Sequence, residues 1–178
     1  MENNALKSLA LTLLMTANTS FAWTTPRDAA KRLGATKVTE INFAKGKTEI
    51  SKDEAQQLQQ AIREAGKSGT VKNIKVLVWS DKEYPAEKTK AEKNDIKLAK
   101  ERAQKLRSLL KKDLNSSDVD TYNMAERPNA IAKLFRTSDA RVKEKAETEG
   151  LAPSDKKDLG LFDHNAHAST AVVLIFAK

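Results

Sequence analysis

Two oppositely charged side chains stand where the sequence could bind a small charged ligand. Asp81 ends the hydrophobic run "VLVWSD", and Arg102 lies some twenty residues later in "LAKERAQKL". An ionised aspartate accepts hydrogen bonds, for example from an ammonium group, whereas an arginine can hold a carboxylate through two parallel bonds. The residues alone leave simpler roles open, because a strand-end aspartate often caps a turn and an arginine on a basic helix is usually solvated.

Positive charge is concentrated in the segment that contains Arg102. The chain carries a net charge of +8, and residues 82–112 hold eleven basic and five acidic side chains, which gives 11 − 5 = +6. Such a segment attracts anionic partners such as cell-wall polymer, lipopolysaccharide or nucleic acid, and Lys88, Lys90 and Lys93 are candidate contacts. The alternative is a solvated helix face that only keeps the protein soluble.

The first 22 residues are typical of a secretory signal. Lys7 precedes a mostly apolar run from Ser8 to Ala17, and small residues stand at Ser20 and Ala22. The run is shorter than the roughly 20 apolar residues that span a bilayer, so we predict cleavage after Ala22 and no membrane insertion. The chain has no cysteine, so we expect neither a lipid anchor nor a disulfide. Export makes nucleic acid the least favoured partner.

The sequence lacks the patterns of common enzymes and metal sites. The two histidines, His164 and His167, lie in a stretch with no established third metal ligand, so we interpret them as ordinary surface histidines. There is no Gly-x-Ser-x-Gly motif and no phosphate-binding glycine pattern. We therefore expect a non-enzymatic protein with no metal and no cofactor.

The hydrophobic pattern predicts an α+β domain with the order β, α, β, α, β, α, β. We predict a lead-in helix within residues 23–36, long helices after the capping box at Ser51 and over Asp95–Lys112, and one broken helix or two short ones over residues 129–150. A polar loop is predicted at residues 156–168. The predicted strands are Lys37–Phe43, Asn73–Asp81, Asp118–Met124 and Ser169–Ala177.

Strand-helix-strand units imply some parallel pairing, so these elements predict a mixed sheet backed by two long helices. The near-continuous apolar run of the second strand indicates a central strand that is buried on both faces. The polar alternation of the third strand favours a position nearer an edge.

The order of the elements and the residues around Asp81 resemble the OmpA-like domain, a periplasmic module that grips the peptide stem of peptidoglycan. The resemblance covers about residues 37–178. Its motifs are "INFAKGKTEIS", "VWSD" in place of a Gly-aromatic-Thr-Asp, "LAKERA" in place of a Leu-Ser-x-x-Arg-Ala, and "YNMAERPNA", which is similar to the third strand and following turn of the family.

The resemblance implies a binding site and a location. Asp81 would face the amine of a diaminopimelate residue, and Arg102 its carboxylate. Trp79 lies beside this site and Asp95 stands where the family has part of a Tyr-Asn pair, so both are secondary candidates for ligand contact. The expected function is non-covalent binding of peptidoglycan in the periplasm, assisted by the basic segment.

Differences from the family motivate a second hypothesis from another class. The connection between Asp81 and Arg102 is longer than usual, and "AST" at residues 168–170 replaces an Asn-Arg-Arg. Lost arginines are lost carboxylate contacts, each worth roughly 1.5 to 3 kcal/mol. The alternative is a degenerate OmpA-like domain that binds a protein in a cell-envelope assembly, motivated further by the loop Lys82–Asn94 and the insertion Lys156–Ala168.

Overall fold

The computed structural model describes residues 30–86, 88–114, 118–149, 151–152 and 167–178. The signal predicted at residues 1–22, the first part of the lead-in helix and most of the predicted loop at residues 156–168 lie outside the described residues. Residues 30–32 are helical, as predicted for the end of the lead-in helix.

The α+β class and the order of elements predicted from the sequence are confirmed. Residues 129–150 contain two short helices rather than one broken helix. The elements after residue 36 are β1 (Lys37–Asn42), α1 (Lys52–Lys67), β2 (Val71–Val78), α2 (Lys93–Leu114), β3 (Val119–Asn123), α3 (Ala130–Leu134), α4 (Ser138–Thr148) and β4 (Thr170–Ala177).

Element ends differ from the predictions where side chains or caps turn the backbone. The helix α1 begins at the predicted capping box, where Ser51 Oγ accepts a hydrogen bond of 3.1 Å from the backbone N–H of Glu54. It ends at Lys67, with Ser68 as its C-cap. The strand β2 ends at Val78 rather than Asp81, because Ser80 Oγ accepts from the backbone N–H of Lys82 and starts a turn.

The four strands form one mixed sheet in the order β1-β4-β2-β3. The pair β2-β3 is parallel, and β4 is antiparallel to both β1 and β2. The central position of β2 and the edge position of β3 are as predicted. Because β4 lies between β1 and β2, its first residue Thr170 pairs with Asn42, and its carbonyl accepts from Trp79 N–H. The last residues of β1 and β2 and the first residues of β4 therefore lie together at one end of the strands.

Both faces of the sheet are buried. Alternate residues of β2, Ile74, Val76 and Val78, belong to a core that includes the apolar sides of α1 and α2. Leu77 and Trp79 point to the opposite face and pack in a second core that includes Ala146 of α4. No helix that the structure describes combines the length and the apolar composition that crossing a membrane requires.

Candidate functional site

The fold brings Asp81 and Arg102 together at the end of the sheet where β1 and β2 finish and β4 begins. Arg102 projects from the third turn of α2, and Asp81 follows the end of β2. Arg102 Nη2 lies 2.6 Å from Asp81 Oδ1, and the exposed fractions of the two side chains are 0% and 16%. The residues predicted to bind opposite ends of one ligand therefore bind each other.

The guanidinium of Arg102 is already occupied by the protein. Nε donates to Lys47 O (2.8 Å), Nη1 to Trp79 O (3.1 Å) and Nη2 to Ala44 O (3.3 Å) as well as to Asp81. The guanidinium also lies over the Phe43 ring, 4.7 Å from its centroid. These bonds engage four of the five N–H donors that an arginine has. A ligand carboxylate could reach this cation only if the turn at residues 44–47 moved away.

The carboxylate of Asp81 is held from three sides. Oδ1 accepts from Ser169 Oγ (2.7 Å) and from Arg102, and Oδ2 accepts from the backbone N–H of Gly46 (2.6 Å). Burial by itself raises the pKa of Asp81, but the hydrogen bonds from Ser169, Arg102 and Gly46 outweigh it and the pKa lies below its ordinary value. We call Asp81, Arg102, Gly46 and Ser169 the Asp81 cluster.

Ser169 closes this cluster in a strained backbone conformation. Its φ of 62° is in the left-handed region, and its N–H donates to Ser80 O at 2.6 Å. A non-glycine residue in that region costs roughly 1 to 2 kcal/mol. The serine lies within residues 168–170, where the resemblance would place arginines, so the chain has a neutral hydroxyl against Asp81 in place of ligand-binding cations.

Trp79 is buried in the core instead of facing the proposed site. Its side chain is fully enclosed, and its ring centroid lies 4.7 Å from that of His167. A ligand could stack on Trp79 only after His167 moved.

The interpretation of His167 as a surface histidine is wrong, and His164 lies outside the described residues. His167 is 2% exposed. The Glu83 carboxylate accepts the backbone N–H groups of His167 and Ala168, and Thr170 donates to His167 O. These bonds fold the chain inward before β4 begins. Neither ring nitrogen of His167 has a hydrogen-bond partner among the described residues, and burial lowers the pKa of His167 to about 4.

The other charged candidates separate into paired and unpaired side chains. Asp95 Oδ2 lies 3.0 Å from Lys82 Nζ, which also contacts Glu92 at 2.6 Å, so Asp95 is engaged at the start of α2. The three candidate lysines are exposed and make no ion pair within the described part of the chain: Lys88 and Lys90 in the loop, and Lys93 at the start of α2.

The loop after Asp81 is fastened to α4, which the lysine-rich sequence did not suggest. Tyr84 is buried, and the Arg127 guanidinium lies 4.7 Å from its ring centroid. Arg127 also donates to Pro85 O (2.6 Å) and, through two bonds of 2.9 and 2.5 Å, to Glu147 of α4. Burial raises the pKa of Tyr84 to about 12. The Tyr-Pro pair in a polar run was the available signal for this anchor.

Tyr84 and Arg127 also line a cavity that the sequence did not predict. The cavity has a volume of about 370 Å³ and is also lined by Pro128, Lys133, Arg136, Ala140, Arg141 and Glu144. Beside it, three large apolar side chains of α3 and its C-cap are exposed: Ile131 (68%), Leu134 (77%) and Phe135 (75%). We call these three residues and the cavity the α3 surface. Their spacing predicts an amphipathic helix, but it cannot show that the apolar side faces solvent.

No protein-family model matches the chain, and no curated protein matches it either. Within the described residues, no group of three or more His, Cys, Asp or Glu side chains could hold a metal ion. Function is therefore inferred from two regions, the Asp81 cluster and the α3 surface.

Proposed function

We propose that the chain is a divergent OmpA-like domain of the periplasm that binds a protein partner in a cell-envelope assembly, without catalysis. The observation that carries this proposal is the exposure of Ile131, Leu134 and Phe135 beside a cavity. Folded proteins rarely expose contiguous apolar patches of more than a few hundred Å², and patches above that size mark sites of interaction.

The Asp81 cluster favours a protein partner over the peptide stem of peptidoglycan. A ligand carboxylate would have to replace bonds that Arg102 already makes to Asp81 and to three carbonyl groups. Hydrogen bonds to charged groups are each worth about 1.5 to 3 kcal/mol, and only the surplus over the broken bonds becomes affinity. The cluster is better suited to fastening the turn at residues 44–47 and β4 to α2.

Peptidoglycan binding is the second candidate, and one observation favours it. Asp81 keeps 16% of its side chain exposed, so an ammonium group could approach the carboxylate from outside. The exposed Lys88, Lys90 and Lys93 would add attraction to an anionic polymer. In this reading Asp81 is the first ligand contact, and Arg102 joins only if the turn at residues 44–47 opens.

Isolation of the chain from cross-linked cells and sedimentation with purified sacculi test the two candidates side by side. We expect the tagged chain to recover one protein in a fixed ratio to itself. We expect sacculi to retain no more of the wild type than of Asp81→Asn at moderate salt. Recovery of wall fragments alone, together with retention on sacculi that Asp81→Asn abolishes, would reject the protein-binding proposal in favour of peptidoglycan.

A further inference from the structure

We propose that the α3 surface docks an acidic amphipathic segment of the partner protein. Apolar side chains of that segment cover Ile131, Leu134 and Phe135, and its carboxylates meet three cations around the cavity. The inference rests on the proposed function, because it names the surface and the partner chemistry through which a protein is bound.

The apolar side of α3 belongs to neither core of the part of the chain that the structure describes. Ile131, Leu134 and Phe135 follow the i, i+3, i+4 spacing that normally turns one side of a helix toward a core. No residue of α3 is buried, although the helix has a side-chain N-cap at Asn129. A short helix that is capped but contributes nothing to the core is explained by a partner that covers it.

The excess of positive charge around the cavity favours a partner segment with negative charge. Lys133, Arg136 and Arg141 line it, are exposed, and have no carboxylate within salt-bridge distance in the described part of the chain. The lining contains two acidic residues, Glu144 and Glu147. The carboxylate of Glu147 accepts two hydrogen bonds from Arg127, which leaves Glu144 as the acid that could balance the three cations. Three cations therefore face one available carboxylate. Complementary charge is the usual basis of partner choice and orientation at an interface.

The backbone of Arg136 supports a role in binding. The N–H of Arg136 donates to Lys133 O and that of Thr137 to Ala132 O, both at 3.1 Å, which is the Schellman arrangement that ends a helix. In this arrangement the residue after the C-cap has a left-handed backbone and is usually glycine. In this chain that residue is Arg136, with a φ of 47°. A strained residue at the mouth of a cavity is typical of functional sites, where the side chain is needed despite its cost in stability.

The shape of the site favours a protein segment over a lipid surface. Membrane binding of an amphipathic helix grows with the apolar area it inserts, and α3 with its C-cap offers only three large apolar side chains. The cavity is concave, with buried Tyr84 and the Arg127–Glu147 pair in its wall, so it can receive a projecting side chain. Helices that bind in grooves use this combination of apolar anchors and flanking charges.

Selection from a displayed library of helix-forming peptides against the full mature chain tests the inference. We expect the selected peptides to carry apolar residues at i, i+3 or i, i+4 spacing and an excess of Asp and Glu. Leu134→Asp should weaken the best peptide about tenfold or more, as expected for a residue central to an interface. The double variant Arg136→Glu, Arg141→Glu should select peptides rich in Lys and Arg instead.

A matched control changes the same amount of charge elsewhere. Lys100 and Arg107 are exposed on α2, so Lys100→Glu with Arg107→Glu should leave the selected sequences unchanged. All substituted side chains are exposed, so the substitutions should not prevent folding. Thermal unfolding of each variant verifies this. Peptides with no acidic bias, or with the same bias for both double variants, would overturn the inference.

Three other results would also overturn it and identify what replaces it. Binding to anionic vesicles that Leu134→Asp abolishes would assign the surface to a membrane. A dimer in sedimentation that the same variant separates would assign it to a second copy of the chain. A cross-linked partner whose yield neither Leu134→Asp nor the Arg136, Arg141 double variant lowers would leave the proposed function intact and move the interface elsewhere. Failure of the proposed function itself would instead appear as recovery of no protein partner at all.

Discussion

The guanidinium of Arg102 makes four hydrogen bonds and has no exposed surface, so removing it takes one charged donor from the Asp81 carboxylate and one from each of three carbonyl groups. Arg102→Ala should lower the free energy of unfolding by about 3 to 5 kcal/mol, as is usual when one partner of a buried ion pair is deleted. Urea denaturation at pH 7 measures this loss.

Arg107 provides the control for that measurement, because it is exposed on the same helix. Arg107→Ala should change the free energy of unfolding by no more than about 0.5 kcal/mol. A side chain kept for a ligand and not for the fold would behave like Arg107, so an equally small loss at Arg102 would show that the Asp81 cluster is not a structural element.

His167 and Asp81 should give stability two separate dependences on pH. Burial lowers the pKa of His167 to about 4 from an ordinary value of 6.5. Between these values the unfolded chain binds a proton that the folded chain excludes. Stability should therefore fall on the order of 3 kcal/mol as the pH drops from 6.5 to 4. Because the pKa of Asp81 is lowered from 3.8, its contribution is present above that value and is lost only as the pH falls below it.

Variants that do not titrate separate the two contributions. His167→Gln should flatten the decline between pH 6.5 and 4, and Asp81→Asn should flatten only the decline below about pH 4. Glu83, which accepts the backbone N–H groups of His167 and Ala168, is present in every variant, so differences between curves isolate the imidazole. Unfolding free energies at pH 7, 5, 4 and 3 give these curves. A wild-type curve that is level from pH 6.5 to 4 would contradict the burial of a neutral His167.

At the scale of elements, the end of α3 offers a test in which stability and binding change in opposite directions. Arg136→Gly removes a charge and relieves the left-handed backbone, whereas Arg136→Ala removes the charge and keeps the strain. Both should weaken an acidic peptide equally, but only Arg136→Gly should stabilise the fold, by about 0.5 to 1 kcal/mol. Peptide titration and urea denaturation measure the two effects. Unchanged binding in both variants would remove Arg136 from the interface.

The strands and long helices could be predicted because their signals are local. The apolar run of β2, the alternation of β3 and the capping box at Ser51 each report how a segment pairs, packs or begins, whatever the rest of the chain does. The positions at which elements end were predicted less accurately. The end of β2, for example, depends on the turn at Ser80, which one side-chain hydrogen bond starts.

Of the Asp81 cluster, the sequence predicted Asp81 and Arg102 but neither Gly46 nor Ser169. The motifs identified Asp81 and Arg102, which do meet. Arg102 is enclosed by a turn at Lys47, which is 55 residues away in the sequence. Ser169, which donates to Asp81, is 88 residues away from it. Such contacts are created by the position of β4 between β1 and β2. Periodicity likewise shows which side of α3 is apolar, but only the packed structure shows that this side is exposed and joins neither core of the described residues.

For the molecule as a whole, the net charge of +8 predicts that any attraction to the cell wall is diffuse. Retention on sacculi should fade as salt rises, because the screening length falls from about 10 Å at 0.1 M to about 3 Å at 1 M. Neutralising Lys88, Lys90 and Lys93 should reduce the retention at low salt. A fraction that persists in high salt and is lost in Asp81→Asn would instead show that the diaminopimelate site is active.

The most direct measurement places a photo-reactive residue at Leu134 of the chain in intact cells, with the same residue at exposed Gln104 of α2 as the comparison. We predict one protein adduct from position 134 that is absent from position 104 and that disappears when Arg136→Glu and Arg141→Glu are added. Equal adducts from both positions, or peptidoglycan fragments in place of protein, would contradict binding of a protein partner through the α3 surface.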